Sequence, residues 1–305
     1  MKTMAPLIIE DTAFNWCSEE FIDLQILYGI DAIYPPLSRD PIIDIIKCLE
    51  QYGIVEKTGN GGISLIETSK YVLRKIFCTS PEIDKAIAYL RRRGVSTRSI
   101  IVPGPIYLST YLKLEGEILL NEPDYITDVC SYIVVKVITT LTMLGYNHIM
   151  IYEPGLYENF SRMKRGYSFI EELYNIIVGQ SDAELYSIYV PGKPSTTLVG
   201  ALAASKIDIV SIEIDKYNAE ELETIVNYIA SEQTTLSPAI IGYNMLPINT
   251  YVTILRLSRR IPSLLNYISL NKDAWHYVKE HGLRGFEEKV LEIKNLLRKI
   301  YRRRH

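Results

Sequence analysis

Six residues of this 305-residue chain pair a recognising side chain, or none, with a position where α/β proteins do chemistry: Gly104, Tyr152, Glu153, Tyr189, Glu213 and Asn244. Each falls at or just beyond the end of a short β-branched run, where the strands of a parallel sheet hand their side chains to the loops. Two carboxylates, two tyrosines, an amide and a glycine suit binding rather than nucleophilic attack. Tyrosines offer flat, rigid faces with a polar tip, and a carboxylate accepts N–H bonds from a ring edge. No Ser/His/Asp set accompanies them. The histidines (His148, His276, His281, His305) and cysteines (Cys17, Cys48, Cys78, Cys130) show no CxxC spacing and no metal cluster. Gly59-Asn60-Gly61-Gly62 lacks the Lys-Ser/Thr of a phosphate loop and reads as a hairpin turn.

The elements that must position these residues follow one rhythm. Short apolar runs alternate with segments of helical period, the pattern of a parallel sheet covered by helices. The strand candidates are Leu7–Glu10, Ile30–Tyr34, Ser99–Val102, His148–Glu153, Glu184–Val190, Ile207–Glu213, Ala239–Tyr243 and Leu264–Ser269. Ser80-Pro81 opens a helix that Gly94 ends, Asn121 and Pro123 open a long one closed by Gly145, and Asn218 caps another. The last helix is expected from Phe286 to Arg303. Eight such units make the expected fold class α/β: a single (β/α)8 TIM barrel over residues 1–305. Residues 35–98 form an insertion between strands 2 and 3, with a small hairpin flanked by helices.

Composition narrows the classes. With 48% hydrophobic and 23% charged residues the chain is not disordered. A formal charge of −3 provides no basic field for nucleic acid. No run approaches the roughly 18–20 apolar residues of a membrane span. The short N-terminal apolar segment is not a signal peptide, so a cytoplasmic location is expected. The cysteines read as buried thiols rather than a disulfide framework. Few glutamines and abundant Ile suggest a thermophilic source.

Val102-Pro103-Gly104-Pro105 and, further along, Ile149-Met150-Ile151-Tyr152-Glu153-Pro154-Gly155-Leu156 together resemble the paired L-x-G-P and I-x-I-D-E-P-x-L signatures of cobalamin-independent methionine synthase. Tyr28 to Ile33, Ile209 to Glu213 and Ile240 to Asn244 resemble that family's second, sixth and seventh strands, in the same order. The family joins two related barrels. One binds zinc through an H-x-C pair after strand five, a Glu ending strand six and a Cys after strand eight; the other is metal-free and helps bind the folate tail. Here strand five reads Tyr186-Ser187-Ile188-Tyr189 and the strand-eight region Ser269-Leu270-Asn271-Lys272-Asp273, so only Glu213 of the ligand set is present. Tyr152 stands where the family has an Asp that contacts the substrate amine, and the catalytic histidine position falls at about Met245-Leu246.

The resemblance therefore implies a zinc-free barrel serving methyl transfer in methionine synthesis, either by binding a reduced pterin methyl carrier or by pairing with a separately encoded zinc-containing barrel. It implies substrate contacts from Gly104, Tyr152, Glu153, Tyr189, Glu213 and Asn244, with the Glu153 carboxylate turned into the cavity near Tyr189 or Glu213. Neither nucleic acid nor membrane is an expected partner. The other readings are an interaction subunit that binds no small molecule, and a divergent methyltransferase or uroporphyrinogen decarboxylase-like barrel enzyme.

Overall fold

The computed structural model describes residues 2–8, 18–59, 62–66, 68, 70–160, 166–241, 252–254, 256–257 and 267–302; Asn244 lies outside them. Eleven strands are found there: β1 (Lys2–Met4), β2 (Val55–Lys57), β3 (Ile63–Leu65), β4 (Ser99–Pro103), β5 (Leu112–Leu114), β6 (Glu117–Ile118), β7 (His148–Tyr152), β8 (Leu185–Val190), β9 (Ile209–Ile212), β10 (Thr235–Ile241) and β11 (Tyr267–Leu270). Seven form one curled parallel sheet in the order β1-β11-β10-β9-β8-β7-β4. Its two edges meet through Ala32, which bridges Met4, and Ile33, which bridges Arg98. Ala32 N donates to Thr3 O at 3.1 Å and Ser99 N to Ile33 O at 2.9 Å, so a two-residue second strand closes the ring. The fold is the expected α/β barrel.

The first strand departs from expectation. Leu7 and Ile8 are buried, yet they do not enter the sheet: Leu37 N donates to Leu7 O at 3.0 Å, above the barrel. The pairing segment is Lys2–Met4, registered on Tyr267–Ser269. Apolar content marked burial there, whereas strand pairing fell to a segment secured by polar bonds, with Thr3 N donating to Asp31 Oδ2 at 2.7 Å.

Helices α1 (Ser18–Leu27), α2 (Pro41–Gln51), α3 (Lys70–Leu73), α4 (Pro81–Arg92), α5 (Pro105–Tyr111), α6 (Pro123–Leu144), α7 (Leu156–Phe160), α8 (Tyr167–Gly179), α9 (Thr196–Ala204), α10 (Ala219–Ser231) and α11 (Lys272–Arg302) surround the sheet. Their ends follow the sequence signals. Ser80 Oγ accepts from Ile83 N, Gly145 takes the left-handed conformation after α6, and Asn218 with Glu221 forms a capping box. The last helix starts earlier than expected, at Lys272, and breaks at Gly282 (φ 64°). Helix α6 contains a π turn over Ile126–Cys130. It is long and apolar enough to cross a membrane, but 61% of its most apolar window is buried inside the fold, as befits a helix packed behind β4.

The insertion holds α2, the β2–β3 hairpin, α3 and α4. Strand β3 also pairs with β5 from the loop after β4, giving a small sheet β2-β3-β5-β6 that ties the insertion to that loop. Cys48 at the end of α2 is disulfide-bonded to Cys78 before α4, with 5.7 Å between Cα atoms, which corrects the expectation of free thiols. Thirty residues of separation carry no spacing signal; only the packing of α2 against the approach to α4 brings the two together.

Inside the barrel the register faces His148, Ser187, Ser211 and Ser269 inward. Ser211 Oγ lies 3.2 Å from Ser269 Oγ across the intervening β10, and His148 Nε2 lies 2.9 Å from Ser187 Oγ. Burial depresses the His148 pKa to about 3, so this histidine is a neutral core group.

Candidate functional site at the barrel mouth

Alternation along β7 decides which side chains reach the cavity. His148, Met150 and Tyr152 face inward with their partners on β8, so Glu153, one residue on, turns outward. Its carboxylate enters the helical layer. Oε1 accepts from Ile106 N at 3.1 Å and from Tyr174 Oη at 2.7 Å, and Oε2 accepts from Tyr107 N at 2.7 Å. The expected orientation toward Tyr189 is thus corrected. Glu153 caps α5 from a distant strand, in place of an N-cap side chain that Gly104 does not have. Gly104 is required for this contact, because a Cβ there would stand 2.0 Å from Glu153 Oε1. Burial pushes the Glu153 pKa up to about 7, against the lowering effect of Tyr174 and the two backbone N–H groups.

Glu213 follows Ile212 and points inward. Oε1 accepts from Tyr189 Oη at 2.9 Å; Oε2 accepts from Gly192 N at 3.2 Å and pairs with Lys216 Nζ at 2.6 Å. Burial works against the Lys216 ammonium, but the bond to Glu213 and the charges of Glu213, Asp273 and Asp215 leave its pKa above the ordinary lysine value. Tyr189 is held protonated by burial and by Glu213, and its oxygen also accepts from Lys272 N at 2.8 Å.

Between these acids lies an aromatic cluster. The Tyr152 ring stacks on Tyr189 (6.0 Å between centroids) and meets Trp275 and Tyr107 edge-on at 5.3 and 5.8 Å. Trp275 is fixed by Nε1 donating to Pro6 O at 2.8 Å, and Tyr107 by its hydroxyl donating to Asp40 Oδ2 at 2.6 Å. Tyr152, Tyr189 and Trp275 are buried, whereas Tyr107 is half-buried and Tyr111 beside it is 40% exposed.

Of the six sequence candidates, Tyr152, Tyr189 and Glu213 share the inner mouth, while Gly104 and Glu153 touch each other behind it. Trp275, Tyr107, Tyr174 and Lys216 were missed. Tyr107 stood in the aromatic loop after Gly104, and Trp275 in the first turn after strand eight, so both had a positional signal. Tyr174 had none, since its place on α8 reads as an ordinary apolar face.

No family model and no curated relative matches the sequence. Solved structures do. A Listeria monocytogenes protein described as a vitamin-B12-independent methionine synthase aligns with TM-score 0.65 and 13% identity, over 91% of this chain and 85% of that one. A B12-independent methionine synthase from Shewanella, solved with selenomethionine, aligns with TM-score 0.63 and 11% identity, over 98% and 97%. A methyltransferase from Methanosarcina mazei aligns with TM-score 0.58 and 11% identity, over 89% and 82%. At these identities the likeness establishes a shared barrel fold.

Proposed function

We propose that this chain is a zinc-free barrel that serves methyl transfer from a reduced pterin carrier, working with a separately encoded zinc-containing barrel in methionine synthesis. The observation that carries the reading is the surroundings of Glu213. A zinc site needs three or four soft or anionic donors around an open position. Here Glu213 meets a phenol, a backbone N–H and an ammonium, all hydrogen donors, and Lys216 supplies the positive charge. Among the described residues no group of three His, Cys, Asp or Glu could hold a metal. A second support is Tyr152, whose ring occupies the place of the family's amine-binding Asp and is packed by Tyr189 and Trp275. A methyl acceptor with a free amine has no counter-charge at that position.

The carrier would meet ring faces rather than Glu153, whose oxygens already serve α5 and Tyr174. Tyr107 and Tyr111 are the tyrosines with open surface for it. A cytoplasmic location accords with this role. The test is calorimetric titration of the chain with an N-methylated reduced pterin, followed by a methionine assay with and without a zinc-containing methionine synthase barrel. The expected result is carrier binding by the chain and methionine only in the mixture. Methionine made by the chain alone overturns the zinc-free assignment; absence of both carrier binding and any effect on the partner overturns the carrier role.

A further inference from the structure

We propose that the seating of α5, and with it the Tyr107 side of the aromatic cluster, is coupled to the uptake of one proton by Glu153. The proposal rests on the packing around one carboxylate and does not depend on the methyl-transfer reading.

The Glu153 side chain has no exposure to solvent. Four elements surround its carboxyl group: the Gly104 Cα before α5, the first turn of α5, Tyr174 of α8 and Cys130 of α6. The titratable side chains facing it are Tyr174 and Cys130, and burial keeps both neutral. No cation among the described residues pairs with it. A buried carboxylate in that position is held only by hydrogen bonds and the partial positive charge of a helix end.

The neutral acid fits the same geometry. With the proton on Oε1, the 2.7 Å contact to Tyr174 reverses and the phenol oxygen accepts; Oε2 keeps the 2.7 Å bond from Tyr107 N. The longer bond from Ile106 N, at 3.1 Å, is given up, and the Tyr174 hydroxyl proton turns away from Oε1. The proton comes from water and returns to it, so no further reactant is needed. Lifting α5 would hydrate the carboxyl group and favour its ionised form. The seated state therefore binds the proton more tightly, and opening becomes easier as pH rises from the ordinary glutamate range toward neutrality. Because Tyr107 sits on α5 against Tyr152 and Asp40, the opening would loosen one wall of the mouth.

Two measurements test this. In the wild-type chain the Glu153 carboxyl carbon, followed by NMR, should titrate well above the ordinary glutamate range. Hydrogen exchange at the Ile106 and Tyr107 amides, corrected for the intrinsic rate, should lose on the order of a hundredfold protection between about pH 5 and about pH 8 and then level off. In Glu153→Gln that pH dependence should vanish. A carboxyl midpoint in the ordinary range, or the same loss of protection in Glu153→Gln, overturns the proposal; the NMR titration needs no variant to fold.

Discussion

Glu153 and Glu213 each stand one residue beyond a barrel strand, and both are buried, but the protein offsets their burial in opposite ways. Glu213 faces the cavity and meets Lys216, a cation whose own side chain is 41% exposed and so stays hydrated. Glu153 faces the helices, meets no cation among the described residues, and depends on two backbone N–H groups and a phenol. An ion pair whose cation stays hydrated offsets part of the desolvation of the buried carboxylate. A dry cap of neutral donors leaves it poised near neutrality. What separates them is the phase of the strand: Tyr152 takes the inward place on β7, whereas Ile212 takes the outward place on β9, so the next residue is flipped.

Crowding at Glu153 is the place to break that comparison most severely. Gly104→Ala puts a Cβ 2.0 Å from Oε1, between two prolines that restrict relief by backbone movement. Overpacking of this kind typically costs 1–3 kcal/mol, and a loss of about 3 kcal/mol in denaturant unfolding is expected. Gly179→Ala, where a Cβ meets nothing within 4 Å, is the control.

A slightly smaller effect separates the two acids by pH. Glu153 titrates at about 7 in the fold against 4.5 as a free side chain. Its pKa is raised, so its contribution to stability is present below the unfolded value and is lost as pH rises toward 7. The hydrogen bonds to the carboxylate already act within that value, so the pH-dependent part is set by the two pKa values and amounts to about 2 kcal/mol between about pH 5 and about pH 8. Glu153→Gln should therefore gain about 2 kcal/mol over wild type on moving from about pH 5 to about pH 8, read as the pH dependence of the unfolding midpoint.

The sequence carried the barrel because that rhythm is repeated in composition: β4, β7 and β8 begin within a residue of where the apolar runs place them. It misplaced β1, whose pairing residues Lys2-Thr3-Met4 are not an apolar run at all. It named Glu153 and Gly104 but put the carboxylate in the cavity. Facing is a question of phase, and a continuously buried strand such as His148–Tyr152 has no polar alternation from which to read it. Lys216 was invisible as a partner for Glu213, since an exposed lysine three residues on looks like any solvated charge. The Cys48–Cys78 bond was equally hidden, being a property of how the insertion folds back on itself.

Lys216→Met sharpens the comparison by making Glu213 resemble Glu153. The pair is half in water, which discounts its worth to about 1–2 kcal/mol at neutral pH. Its removal should leave Glu213 with only Tyr189 Oη and Gly192 N as donors. Because the Lys216 pKa stands above the ordinary lysine value, the pair's contribution is present at neutral pH and lost in alkali as the ammonium gives up its proton. The cost of Lys216→Met should therefore shrink at high pH, whereas loss of a packing contact would be the same at every pH.

The smallest effect concerns the phenol behind Glu153. Tyr174 is fully buried and donates to Oε1 at 2.7 Å, and its own pKa is raised by burial and by the acid beside it. Tyr174→Phe keeps the ring and removes one hydrogen bond to a charged group, worth about 1.5 kcal/mol when the carboxylate is ionised. In the neutral acid the same hydroxyl serves as acceptor for the carboxyl proton, a bond between neutral groups worth nearer 1 kcal/mol. The destabilisation should therefore be greater above neutrality than below it, by a few tenths of a kcal/mol to about 0.5 kcal/mol. Measured by paired unfolding titrations at the two pH values, an equal cost at both would mean that Glu153 keeps one protonation state throughout, and the contrast with Glu213 would reduce to packing.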